Sequence, residues 1–149
     1  MKRIQESRKL FNIDQTADLG ALKVNYRNLI KQWHPDKFHN DPDQAVVAEQ
    51  TSQSIIEAYH FLVSIHPETH VVNAESYALT INSCVITDFE YKGQTLKVTF
   101  QDGSIYEYFG VPRNIYVKLV NSPTQTRFAR RHIFQSFVMR NVSKSAVLV

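Results

Sequence analysis

Trp33-His34-Pro35-Asp36-Lys37 decides how the first half of this chain folds. A proline forces its predecessor out of the α region, so a helix running into Trp33 has to stop at or before His34. The next helix signal is Asp41-Pro42, a capping aspartate with proline in the first turn. His34, Pro35 and Asp36 are therefore expected near the start of a short loop between two helices. Their imidazole and carboxylate are left free to face a partner.

Upstream of that loop, Leu22, Tyr26, Leu29, Ile30 and Trp33 recur at helical spacing and form one apolar stripe. Lys23, Arg27 and Lys31 lie four apart on another face. Thr16 is the expected N-cap, with Asp18 in the first turn where a carboxylate meets the helix dipole. Downstream, Ala45, Ala48, Ile55, Ala58, Tyr59 and Leu62 carry helical spacing as far as His66-Pro67. A shorter helix around residues 4–11 is expected to lay Ile4, Leu10 and Phe11 across the pair. Residues 1–70 thus read as an all-α antiparallel helical hairpin with a small N-terminal helix. A bland hairpin with a solvated loop is the alternative; against it stands the His-Pro-Asp triad directly after a basic face.

Near residues 71–75 the hydrophobic period changes, and this stretch is read as a linker. From residue 76 the period shortens to two. Leu96, Val98 and Phe100 alternate with polar residues, Asp102-Gly103 marks a tight turn, and residues 105–109 are rich in β-formers. Lys92-Gly93 is a second turn, preceded by a strand around residues 84–89. Pro112 then opens a helical stretch with Ile115, Leu119 and Val120, and residues 127–138 mix basic and aromatic side chains. Residues 76–140 are expected to form an α+β domain, a three-stranded antiparallel meander plus helices. Residues 141–149 read as a tail.

Of the 149 residues, 43% are hydrophobic, enough for packed cores and too many for a disordered chain. No apolar run approaches membrane-spanning length, and the first residues lack the apolar core of a signal peptide, so no membrane partner is expected. Cys84 is the single cysteine, which leaves no internal disulfide and points to a reducing cytoplasm. The six histidines match no zinc spacing. Neither metal nor cofactor is expected. Cys84 and His132 could in principle form a thiol and base, but a cysteine in a strand pattern is more often a small buried hydrophobe. With four glycines, no phosphate-cradling loop and no paired carboxylates, an enzyme with a small-molecule substrate is not expected.

The net charge of +3 hides an asymmetry. Residues 108–149 contain no Asp or Glu but carry Arg113, Lys118, Arg127, Arg130, Arg131, Arg140 and Lys144. Those seven cations leave the first 107 residues at −4. So dense a positive end suggests an anionic partner, nucleic acid first, unless it is only a solvated basic face.

Tyr106 and Tyr108 share one face of a strand, and the turn before them decides which. If Asp102-Gly103 is a two-residue loop, the rings lie beside Lys97 and Thr99, where they could stack on bases. If the loop is Gln101-Asp102-Gly103 with a glycine bulge, they join Leu96, Val98 and Phe100 in the core. The residue order suits the second geometry better, so at least one tyrosine is expected inside. Nucleic-acid contact would then rest more on Lys118, Arg127, Arg130 and Arg131 than on Lys97 and the tyrosines.

Three blocks of the first half, residues 22–29, residues 34–37 and residues 55–62, resemble the J-domain family of co-chaperones in order and spacing. The resemblance implies docking on a DnaK-type heat-shock ATPase and stimulation of its ATP hydrolysis, with no chemistry in the chain itself. It implies that Lys23, Arg27 and Lys31 steer association, since complementary charge mainly speeds and registers encounters. Tyr26 would support the interface, Pro35 would fix the loop, and His34 would be a hydrogen-bonding group. Asp36 would make a charge-assisted hydrogen bond to an arginine of the ATPase. Asn28 stands where the family usually has a second basic residue, and Ser52 where it usually has a core phenylalanine. The usual basic fourth helix and glycine-phenylalanine linker are missing.

The second half resembles the KTSC domain, seen alone in bacteria and at the end of some lysyl-tRNA synthetases. Ser83, Leu96, Val98, Phe100, Gly103 and the Tyr106-Glu107-Tyr108 run carry the likeness, followed by Val111-Pro112, Tyr116 and Leu119, and more loosely Phe128 and Ile133. Thr124-Gln125-Thr126 replaces the family's usual serine-x-glycine. RNA binding is what this resemblance implies. The leading expectation is a cytoplasmic co-chaperone whose second module chooses where the ATPase is recruited. The alternative is a small RNA-binding protein in which the helix pair serves as a scaffold.

Overall fold

The computed structural model describes residues 2–142, which divide after Glu68 into two compact units. The first unit contains helix α1 (Lys2–Leu10), helix α2 (Leu19–Trp33), a single 3₁₀ turn (Pro35–Phe38) and helix α3 (Pro42–Ile65). Helix α2 stops where His34 takes extended angles (φ −63°, ψ 130°), as the following proline requires. Asp41 caps α3, its Oδ1 accepting the Gln44 amide at 3.3 Å, with Pro42 in the first turn.

The cap of α2 differs from expectation. Thr16 donates its amide and hydroxyl to the Asp14 carboxylate, which holds it in a turn ahead of the helix. Asp18 is the cap instead, its Oδ1 accepting the Ala21 amide at 2.7 Å. Ile4 and Phe11 are buried as expected, whereas Leu10 is exposed. The core of this unit joins them to Leu22, Ala48, Ile55 and Leu62, with the rings of Tyr26 and Tyr59 stacked 4.0 Å apart.

Helix α4 (Pro67–Val72) and helix α5 (Ala74–Ser83) occupy the stretch read as a linker and the start of a strand pattern. Strands β1 (Ile86–Lys92), β2 (Thr95–Phe100) and β3 (Ile105–Phe109) follow as the expected meander. Helix α6 (Arg113–Asn121) and helix α7 (Gln125–His132) come next, then strand β4 (Val138–Asn141). Strand β4 pairs antiparallel with β3, so the sheet has four strands in the order β1-β2-β3-β4 and not three. Asn141, read as the first residue of the tail, ends this strand, while residues 143–149 lie outside the described residues.

Both hairpins follow from backbone conformation. Gly93 and Gln94 have φ of 55° and 62°, the two positive angles of a type I′ turn that matches sheet twist. In the second hairpin the Gly103 amide donates to Phe100 O and the Phe100 amide to Ser104 O, with Gly103 at φ 88°. This is the three-residue loop with a glycine bulge, and it pairs Val98 with Tyr106 and Leu96 with Tyr108. Both tyrosines are consequently buried with Phe100, Leu119, Ile133 and Phe134.

Helix α5 completes that core through Ile81 and Tyr77. Tyr77 Oη lies 2.8 Å from Tyr108 Oη and donates to the Phe134 carbonyl. Thr80 Oγ1 donates to Asp102 Oδ2 at 3.2 Å, tying α5 to the β2–β3 turn. Ile86 N donates to Thr126 Oγ1 at 3.0 Å, so the threonine run that departs from the family pattern anchors the start of β1 to α7. Among the described residues no helix is long and apolar enough to cross a membrane, and no cluster of three or more His, Cys, Asp or Glu is placed to hold a metal ion.

Candidate functional site

The site begins where α2 runs out of helix. The Asp36 amide donates to His34 Nδ1 at 3.2 Å, and Asp36 Oδ2 stands 3.4 Å from the same nitrogen. An Nδ1 that accepts an amide proton places the ring's own proton on Nε2. The Lys37 amide donates to His34 O at 3.0 Å, and His39 Nδ1 donates to Asp36 O at 2.9 Å. Trp33 and Phe38 stack across the turn, with ring centroids 6.3 Å apart. The loop is thus a hydrogen-bonded knuckle, held by bonds within the chain itself. Its His34 side chain is 51% exposed and its Asp36 side chain 92%.

A second copy of this knuckle lies at His66-Pro67-Glu68. His66 also takes extended angles before proline (φ −69°, ψ 139°), the Glu68 amide donates to His66 Nδ1 at 3.1 Å, and Glu68 Oε2 lies 3.6 Å away. Here the outward groups are engaged. His66 Nε2 donates to Ala17 O at 2.8 Å, and Glu68 Oε2 accepts the Leu19 amide at 2.8 Å, closing the first turn of α2. One local geometry therefore serves two ends of the same helix. At His66 it is turned inward as a latch; at His34 the carboxylate is left open to solvent.

Lys23, Arg27 and Lys31 stand on one face of α2, at most half-buried, and none forms an ion pair among the described residues. Tyr26 is half-buried over Tyr59 and Phe11, so it props this face from below. Burial pushes the Tyr59 phenol up, Tyr26 adds to this and the charge on Arg27 opposes it. Ile30, Lys31, His34, Asp36 and Lys37 line a shallow open hollow between the helix end and the knuckle. Asn28 is exposed. Ser52 is buried, but in place of an apolar contact its hydroxyl donates to Trp33 O at 2.7 Å.

The basic residues of the second unit fare unevenly. Tyr106 and Tyr108 are buried, so neither ring presents a face to a base, which overturns their reading as stacking residues. Lys97 is cross-strand neighbour to both Glu90 and Glu107, and Glu107 pairs with Arg140 (2.7 Å). The outer sheet row Glu90, Lys97, Glu107, Arg140 alternates in sign, so Lys97 belongs to a neutral row and not to a cationic patch. Arg130 Nε donates to Ile81 O at 2.8 Å, closing the carboxyl end of α5. Lys118, Arg127 and Arg131 remain exposed on α6 and α7. Lys144 lies outside the described residues.

The DnaJ domain model matches residues 9–74, and the KTSC domain model matches residues 82–137. The chain carries a DnaJ domain followed by a KTSC domain. A co-chaperone protein HscB homolog of Shewanella denitrificans is 41% identical over 56 residues, 36% of this chain and 32% of that protein. A lysine–tRNA ligase of Nostoc punctiforme is 31% identical over 101 residues, 68% of this chain and 16% of that protein. The chain thus spans less than a third of the length of either relative. A 101-residue match in a 149-residue chain includes residues 49–101 wherever it begins, so the likeness to the ligase takes in the later part of α3 and at least the first part of the KTSC match.

Within the DnaJ domain, two residues that bond to the ends of α2 escape motif reading: Ser52, visible only as a missing phenylalanine, and Glu68. The signal for Glu68 was present as a repeated His-Pro-acid tripeptide, first at residues 34–36 and again at residues 66–68. Within the KTSC domain, Arg130 reads as a free cation by charge alone. Its partner carbonyl, on a helix 49 positions earlier, is invisible to sequence spacing.

Proposed function

We propose that this chain is a cytoplasmic J-domain co-chaperone that docks on a DnaK-type heat-shock ATPase and stimulates its ATP hydrolysis. The observation that carries this reading is the Asp36 carboxylate, 92% exposed on a hydrogen-bonded knuckle at the end of an unpaired cationic face. The matching His-Pro-acid tripeptide at His66 grips backbone groups of α2 and the turn before it, whereas among the described residues the Asp36 carboxylate meets only the His34 ring of its own knuckle and is otherwise open to solvent. Lys23, Arg27 and Lys31 steer an acidic surface of the ATPase onto α2, and Tyr26 supports the face they share. His34 and Pro35 hold Asp36 rigid, so its charge-assisted hydrogen bond to an arginine is made with little ordering cost. The KTSC domain selects where the ATPase is recruited.

The test is association of the full chain with a DnaK-type ATPase, measured against ionic strength. The association rate should fall steeply with salt, and a Lys23→Glu/Arg27→Glu variant should flatten the dependence and slow binding by about tenfold or more. An unchanged rate in that variant would remove α2 from the interface.

A second reading, contact with RNA through the KTSC domain, is favoured by the exposed Lys118, Arg127 and Arg131 in a region without acidic residues after Glu107. RNA binding would then weaken with salt, and an Arg127→Glu/Arg131→Glu variant would reduce the slope by about 2, one for each lost phosphate contact.

A further inference from the structure

The carboxyl end of α2 has an acceptor that its own loop does not satisfy. In a continuing helix Trp33 O would receive the Lys37 amide; here that amide goes to His34 O. The Asp36 amide is engaged by His34 Nδ1, and Pro35 has no amide to offer. Building the knuckle therefore strips the last turn of α2 of the donors it would otherwise use. The missing donor comes from α3. Ser52 is buried, and its hydroxyl lies 2.7 Å from Trp33 O instead of turning back to its own helix.

We infer that Ser52 is a positioning residue for the His34–Asp36 knuckle: its hydroxyl pins the residue at which the loop leaves α2 to the neighbouring helix. Three contacts act together at this point. Trp33 stacks on Phe38 at the far side of the turn, and the Asp41 amide donates to Phe38 O at the entry to α3. Ser52 closes the frame, fixing one end of the turn to the helix that receives its other end. Asp36 is then held at a set angle to the Lys23–Arg27–Lys31 face, and a partner that meets both must accept that angle. A phenylalanine at this position, as the family resemblance leads one to expect, could fill the space but could not donate to the carbonyl. This chain therefore secures its knuckle by a polar tie.

The role rests on the ATPase-stimulating reading above, and the test separates the two. Single-turnover ATP hydrolysis by a DnaK-type ATPase is measured over a range of full-length Ser52→Ala, Ser52→Thr and unaltered chain, well below the unfolding temperature of each. Amide NMR spectra of residues 33–38 are recorded on the same samples. Ser52→Ala should lower the maximal stimulated rate by about threefold to tenfold, the worth of one net hydrogen bond, while the concentration giving half-maximal stimulation, set by the cationic face, stays within about twofold. Its amides at Asp36 and Lys37 should shift or broaden, and Ser52→Thr, which keeps a hydroxyl, should restore both rate and spectrum. A folded Ser52→Ala chain with unshifted loop amides and full stimulation would overturn the inference. If the unaltered chain fails to stimulate, the ATPase reading falls, and unshifted loop amides in Ser52→Ala would then overturn the positioning role on their own.

Discussion

Glu68 closes the amino end of α2 from 49 positions away, its Oε2 accepting the Leu19 amide at 2.8 Å. The bond recruits a carboxylate to the positive end of the helix and satisfies a first-turn donor that has no partner inside the helix. His66 assists from the same tripeptide through Ala17 O. Among the described residues the matching carboxylate of Asp36 caps no helix and stands only beside His34 of its own loop.

This asymmetry gives a paired stability prediction. Glu68→Ala should destabilise the DnaJ domain by about 1 kcal/mol, the usual worth of a helix cap. Asp36→Asn, in the same tripeptide geometry, should change stability by less than about 0.5 kcal/mol, as surface substitutions do. Urea unfolding followed by the fluorescence of Trp33, the one tryptophan, reads both.

Arg140 and Glu107 hold the fourth strand. Their 2.7 Å ion pair bridges β3 and β4, with both side chains about one-fifth exposed. Arg140→Ala leaves a largely buried carboxylate without its pair and should destabilise the second unit by about 1–3 kcal/mol. Amide hydrogen exchange at β3 and β4 should quicken more than at β1 and β2. Lys97→Ala, in the same outer row, should leave exchange at the β4 amides near its original rate.

Tyr77 and Tyr108 make the second unit sensitive to alkali. Burial pushes both phenols well above their ordinary value; the hydrogen bond between them opposes the shift at Tyr77 and adds to it at Tyr108. Between the unfolded value near 10 and the raised folded values, the native state holds protons that the unfolded state has lost. Stability contributed by these groups is fully present below about pH 10 and falls as pH rises through that window. Urea midpoints at successive alkaline pH values should show this decline, and Tyr77→Phe should make it shallower.

Much of the DnaJ half was legible because its punctuation is local. Proline after His34 and after Asp41 sets φ and removes an amide whatever the tertiary context, so the ends of α2 and α3 could be read directly. Thr16 misled because two good capping side chains, Thr16 and Asp18, compete within three residues. The Asp14 carboxylate settled the matter by taking both donors of Thr16. In the KTSC half, Gly103 carried enough turn chemistry to place Tyr106 and Tyr108 inside. Helix α5 was hidden because Tyr77 and Ile81 face the core while Leu79 is exposed, which blurs its helical period. Strand β4 was hidden because four residues at a sheet edge acquire their identity only by pairing with β3. Ser52 read as a lost apolar contact; only the geometry shows the carbonyl it serves.

The central claim is that Asp36, held out on its knuckle, acts on another protein's ATPase. Its most direct test is single-turnover hydrolysis by a DnaK-type ATPase with the full chain or its Asp36→Asn variant. The account predicts a clear rise in rate with the unaltered chain, and a fall back to the unstimulated rate with Asp36→Asn at an unchanged melting temperature. Equal stimulation by both chains would contradict it.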